Sequence, residues 1–255
     1  MGTVLQTSEI PPDALYTFLD SYIQRASAES GITRIGDADI LEACAQLKRL
    51  LRDTPTTPLF ASLWAEEVLR GGLDSSQRIQ GLAELLDSYV ERLLAPTGQN
   101  AVALAGLRTD LSTIAMRELG DNFTPGWLTR SQVIDVLREQ TQDTAERRLN
   151  TLIDSRLIEA DTRNAELMRV ALDPIAEHLV ARARVETLGK DVAGWRAFLT
   201  ELWRVNCPAG FLDSLRACLG HRVYGRAVPP DIRSKLLGSN PLEQDLVEDN
   251  LAGTE

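Results

Sequence analysis

The sequence has 255 residues, of which 44% are apolar and only 5% aromatic, enough for one large or two ordinary domains and too apolar for a disordered chain. Its 27 basic and 37 acidic side chains give a net charge of −10. That field repels phosphate backbones and anionic lipid surfaces, so nucleic acid is disfavoured as a general partner.

Leu, Ala and Arg outnumber β-branched and aromatic strand formers, which predicts a mainly α-helical fold. Cys44, Cys207 and Cys218 form no CxxC pair and no basic, apolar, small-residue leader opens the chain, so a cytoplasmic location is expected. The longest uncharged stretch, Ala95 to Leu107, contains Pro and Gly and falls short of the ~20 apolar residues a membrane helix needs. No membrane partner is expected.

In chain order, Leu15, Phe18, Leu19, Tyr22 and Ile23 recur at helical spacing after Pro11-Pro12, with Gly31 as the stop. Asp37 is expected to cap a second helix whose stripe is Ile40, Leu41, Cys44, Leu47, Leu50 and Leu51. Thr57 as N-cap and Pro58 as first helical residue open a third, ending at Gly71-Gly72. A fourth opens at Ser75 or Ser76 and carries Leu82, Leu85, Leu86, Tyr89, Val90, Leu93 and Leu94 up to the linker APTGQN.

From Leu107 come three short helices: LRTDLSTIAMREL, stopped by Gly120; SQVIDVLREQ, capped by Thr129 after the turn-rich NFTPGWLT; and TAERRLNTLIDSRL. LIEAD and LMRVAL, joined by TRNAE, then read as a β-hairpin because the helical period gives way to alternation. Three helices and a hairpin form the winged-helix order. Asp173 as cap and Pro174 in the first turn start a long helix through IAEHLVARARVETL; Asp191 starts another, ending at Asn206-Cys207-Pro208, and FLDSLRACLGHRV supplies one more. The expected division is a helical domain over 1–100, a winged-helix domain over 101–172, a C-terminal helical domain over 173–239 and an acidic, disordered tail over 240–255.

Chemistry-bearing motifs are missing. The only Gly-Lys pair, Gly189-Lys190, is followed by Asp191 and has Arg184 where the first glycine of a phosphate loop would stand. GxSxG and GxGxxG are absent, and His178 and His221 sit in no HExxH arrangement, so neither a catalytic nor a metal site is expected and His178 reads as a helix-surface or packed residue. Adjacent acids such as Glu66-Glu67 point in different directions on a helix and read as a solvated face. Arg147, Arg148, Asn150 and Arg156 could face DNA, but residues 102–172 carry nine arginines against eleven acids, and counterion release needs a basic footprint.

Three stretches together, ACAQLKRLLRDTPTTPLFASLWAEEVL, LAELLDSYVERLL and MRVALDPIAEHLVARARVE, resemble the region after the nucleotide-binding core of NACHT-type STAND NTPases. There a helical domain, a winged-helix domain and a second helical domain follow the P-loop core. The resemblance implies a nucleotide contact for Pro58, in TPLF, and matches Glu177 to the family's glutamate near the start of the long helix. Leu172 stands where the family often has a phosphate-sensing histidine. With no P-loop, the chain is expected to be a non-catalytic regulatory or signal-transmission module that packs on a nucleotide-binding domain or effector protein. It would hold no cofactor of its own and meet ATP or ADP only through that partner. Asp173, Pro174 and Glu177 are its expected junction residues. The alternatives are a winged-helix DNA-binding regulator and a helical protein-interaction scaffold.

Overall fold

A computed structural model describes residues 9–30, 35–51, 54–76, 79–97, 100–140 and 145–237; Gly31 and the acidic stretch 240–255 lie outside them. Among the described residues the fold is mainly α-helical with one small three-stranded antiparallel sheet. The chain divides into two units, Met1–Leu85 and Leu86–Glu255.

In the first unit α1 (Leu15–Ser30), α2 (Asp37–Leu51) and α3 (Pro58–Ser76) pack on one another. Leu15, Leu19 and Ile23 recur every four residues, so α1 presents one fully buried stripe. Trp64, also buried, donates its Nε1–H to the Ala43 carbonyl at 2.9 Å, which satisfies the one polar group that its burial would otherwise strand. Three expectations need correction. Leu41 is 59% exposed, because the buried stripe of α2 runs through Ile40, Ala43 and Leu47 and turns Leu41 outward. Asp37 is the first helical residue and not the cap; the amides of Asp39 and Ile40 bond to the Gly36 carbonyl. And α3 continues through Gly71-Gly72 to Ser76, since a glycine penalty of ~1 kcal/mol does not stop a helix that is already propagating.

The next helix, α4 (Leu82–Leu94), starts later than Ser76 and carries the chain across the division. In the second unit α5 (Ala101–Leu119) starts before Leu107 because Asn100 caps it, accepting the Ala103 N–H at 2.9 Å. Gly120, at φ +55°, stops it as expected. Then follow β1 (Leu128–Thr129), α6 (Arg130–Gln140), α7 (Ala145–Asp154), β2 (Ile158–Ala160) and β3 (Leu167–Val170). Thr129 does cap α6: its Oγ1 accepts the Gln132 N–H at 3.2 Å while Gln132 Oε1 accepts the Thr129 N–H at 2.8 Å, a reciprocal capping box. The expected hairpin is present, pairing Ile158 with Val170 and Ala160 with Met168. Its turn is set by Asp161, whose Oδ1 accepts the N–H groups of Arg163 and Asn164. A third strand, β1, comes from the turn-rich stretch and pairs with β3, giving the order β1–β3–β2.

Only Ala171 and Leu172 separate β3 from α8 (Asp173–Leu188), which is followed by α9 (Val192–Arg204), α10 (Ala209–Gly220), a 3₁₀ turn Tyr224–Ala227 and α11 (Pro230–Leu237). The segments expected as separate winged-helix and C-terminal domains share one unit. The reason is α8, which packs on α5 and β3 as well as on α10, and whose every residue from Ile175 to Ala181 is buried. Phe123, just after α5, belongs to the same core. It lies 4.8 Å from Phe211 and 5.8 Å from Phe198, ring centre to ring centre, and those contacts hold it at φ +54°, a conformation that costs a non-glycine residue ~1–2 kcal/mol.

Candidate functional site

Polar groups inside the second unit concentrate around α8. On one side lies Asp87, from the second half of α4. Its carboxylate accepts three donors: His178 Nε2 at 3.0 Å, Arg182 Nη1 at 3.0 Å and the Tyr224 hydroxyl at 2.5 Å. His178 and Arg182 lie one turn apart on α8, so a single carboxylate reaches both. His178 is fully buried; its Nε2 meets Asp87 and its Nδ1 lies 3.6 Å from the Cys218 sulfur. Arg182 also bonds Glu186 at 2.9 Å and lies 4.6 Å from the Tyr224 ring centre, on which His221 stacks at 4.1 Å. Gly225 lets this turn close on α10, because a Cβ there would stand 1.9 Å from the Leu219 carbonyl oxygen.

The electrostatics follow. Burial pushes the Asp87 carboxyl up, but the hydrogen bond and charge of His178, then Tyr224 and Arg182, outweigh it and bring Asp87 down to about 2. The order Cys218, His178, Asp87 is that of a nucleophile, its base and an orienting acid. A reactive cysteine, however, must be accessible and hold a lowered pKa. Cys218 is fully buried, and burial together with the nearby Asp87 charge drives its thiol far up. The arrangement is suited to fastening α4, α8, α10 and the 3₁₀ turn to one another.

At the head of α8 the cap expected of Asp173 is not made. Asp173 is the first helical residue, Leu172 occupies the extended N-cap position and contributes no side-chain bond, and Pro174 lies in the first turn as expected. Asp173 instead pairs with Arg169 of β3 at 3.3 Å. Arg169 offers a stronger partner than the helix amides: it also bonds Glu159 across the hairpin at 2.7 Å and lies 4.7 Å from the Trp127 ring centre. Glu118 of α5 accepts the Val170 N–H at 2.8 Å, and its other oxygen is buried and makes no full hydrogen bond. Burial pushes its carboxyl up, the Val170 bond pulls it down and the charge of Asp173 raises it again, to about 7. Glu177, 8% exposed, lies against Gly210, where a Cβ would fall 2.5 Å from its Oε1. Burial, then Asp173 and Asp213, pushes it up to about 8.

The structure thus brings Asp173, Pro174 and Glu177 together at one helix start. Pro58 belongs to the first unit, where it is the exposed first residue of α3; Phe60 donates its N–H to Thr57 Oγ1 at 3.4 Å, so the helix start accounts for this proline. Of the residues that could face DNA, Arg148 is withdrawn. Its Nε bonds Asp110 at 2.5 Å, its side chain is 14% exposed, and Asp110 is fully buried. Reading the sequence alone misses Asp87, Glu118, Cys218 and Tyr224. Asp87 had a legible signal, because it interrupts an apolar stripe formed by Ala83, Val90 and Leu94 on α4.

Among the described residues no three His, Cys, Asp or Glu side chains gather as a metal site, and no helix is long and apolar enough to cross a membrane. Comparisons with protein-family models, with curated proteins and with solved structures each return no match.

Proposed function

We propose that this chain is a non-catalytic regulatory module, similar to the helical, winged-helix and second helical region of a NACHT-type STAND NTPase, that works in the cytoplasm by packing on a nucleotide-binding protein and passing on its state. The observation that carries the reading is the junction. Two residues join β3 to α8, and α8 is buried from Ile175 to Ala181 between α5 and α10. A movement imposed on the small sheet therefore meets no flexible linker before it reaches the C-terminal helices. The order helix, strand, helix, helix, strand, strand with sheet order β1–β3–β2 supports the winged-helix assignment. The withdrawal of Arg148 into an ion pair and the net charge of −10 favour a protein surface over DNA.

The coding sequences on either side of this chain give the test. A neighbouring frame that encodes a P-loop domain is expected, and its product should bind the full chain with an affinity that differs between its ADP and ATP-analogue states. A salt-dependent gel shift with duplex DNA, lost when Arg147 and Asn150 are replaced, would instead make the chain a DNA-binding regulator.

A further inference from the structure

Two buried carboxyls flank the start of α8 and share one neighbour. Glu177 is 8% exposed and lies against the first turn of α10, in room that exists because Gly210 has no Cβ. Among the described residues no group donates a hydrogen bond to it. Glu118, 7% exposed, bonds the Val170 N–H through one oxygen, while its other oxygen is buried and makes no full hydrogen bond, with the Gly126 amide its nearest donor. Asp173 acts on both. Facing Glu177 are Asp173 from its own helix, Asp213 from α10 and the Cys207 thiol from the turn before α10. The cation at this end, Arg216, is engaged with Asp213 at 3.4 Å and with the Leu236 carbonyl at 3.3 Å. Facing Glu118 are Asp173 from α8, Arg169 and the Val170 amide from β3, and the Gly126 amide from the segment before β1.

We propose that Glu177 and Glu118 form a proton-operated latch at the head of α8: with its proton on, Glu177 lets the first turn of α10 pack against α8 and on losing it forces that turn away, while Glu118 responds in the same way on the β3 side of the junction. Ionised Glu177 would be an anion only 8% exposed that receives no hydrogen bond from the described residues and is opposed by two further carboxylates. The first-turn amides of α10 favour an anion, but none is aimed at Glu177 closely enough to bond it. Burial and the aspartates accordingly push Glu177 up to about 8, and burial with Asp173 brings Glu118 to about 7. Both acids keep in the folded chain a proton that the unfolded chain has already released. Stability is therefore fullest below the ordinary carboxylate range and declines as pH rises towards about 8. The latch follows from the geometry of the junction and does not depend on the function proposed above.

The test uses the full chain in two measurements. Carbon-detected NMR titration of the glutamate carboxyls should show two midpoints near 7 and 8, assigned through Glu118→Gln and Glu177→Gln; ordinary midpoints for both residues overturn the latch. Amide exchange across 209–213, corrected for its intrinsic pH dependence, should quicken by ~tenfold or more between pH 6 and 9, about the response to one unit of ionisation past the midpoint. Glu177→Gln, a neutral mimic of the protonated acid, should abolish that rise, and a variant that keeps the wild-type rise overturns the proposal. If Glu177→Gln does not fold, the wild-type titration still decides: the folded chain either shows two glutamates that titrate near neutrality or it does not.

Discussion

Replacing Asp87 by alanine removes one acceptor and strands three donors. The His178 ring is fully buried, the Arg182 side chain is 26% exposed and its guanidinium carries a full charge, and the Tyr224 hydroxyl loses its 2.5 Å partner. Breaking a buried charged pair by removing one member costs ~3–5 kcal/mol; since the Asp87 side chain is itself 16% exposed, water can replace part of what is lost, which places the expectation at the lower end. For a unit of this size each kcal/mol moves Tm by about 2–4 °C, so a calorimetric scan at pH 7 should record a drop of ~6–12 °C. Asp87→Asn keeps one acceptor oxygen and loses the charge, so its cost should be nearer ~1.5–3 kcal/mol. The carboxylate also sets the acid limb. With a folded value of about 2 against an ordinary 3.8, it stabilises the chain by ~2 kcal/mol at pH above the ordinary value, a contribution lost as pH falls through the folded one. Asp87→Asn should flatten that limb. A change below ~1 kcal/mol at pH 7 in Asp87→Ala would show that Asp87 does not hold this network, because three satisfied donors cannot be stranded so cheaply in a buried network.

Arg148→Ala should destabilise the full chain by ~3–5 kcal/mol in urea melts by leaving Asp110 buried and unpaired, whereas Arg147→Ala, at an exposed position, should change it by less than ~0.5 kcal/mol. Asp173→Ala should leave the melting temperature near that of the wild type at pH 5, since no cap is lost, and should lower the titration midpoints of both Glu118 and Glu177; unchanged midpoints would remove Asp173 from the electrostatics of the junction. Calorimetric titration of the purified chain with ATP and ADP should give no heat of binding at micromolar concentrations, and micromolar affinity accompanied by phosphate release would contradict the non-catalytic reading.

The legible parts of this fold are those where one local signal has no competitor. Thr129 with Gln132, Thr57 with Pro58, and Asp191, which accepts the Gly194 N–H at 3.0 Å, all make their expected helix starts, and the hairpin follows its alternation. What the sequence hides is competition between partners. Asp173 looks like a cap next to Pro174, yet Arg169, four residues earlier, takes its carboxylate. In the sequence the linker APTGQN ends at Asn100 and the next helix is expected only from Leu107, but Ala and Leu are strong helix formers once a cap is present, and Asn100 starts α5 at Ala101. Two-residue β1 offers no alternation to read, and the pairing that makes it a strand comes from β3, far along the chain. The polar cluster was hidden for the same reason. Asp87, His178 and Tyr224 belong to three distant segments, and only the burial of α8 on all sides makes one carboxylate their common partner.

Whether α8 couples the small sheet to the C-terminal helices can be read most directly from hydrogen–deuterium exchange on the full chain. Asp87→Asn loosens α8 where it meets the 3₁₀ turn and α10, away from the sheet. If α8 transmits, exchange should quicken not only in α10 and Tyr224–Ala227 but also at Val170 and its neighbours in β3 and in the last turns of α5, where Glu118 holds the sheet. Faster exchange confined to α10 and the 3₁₀ turn, with β3 and α5 unchanged, would contradict that coupling.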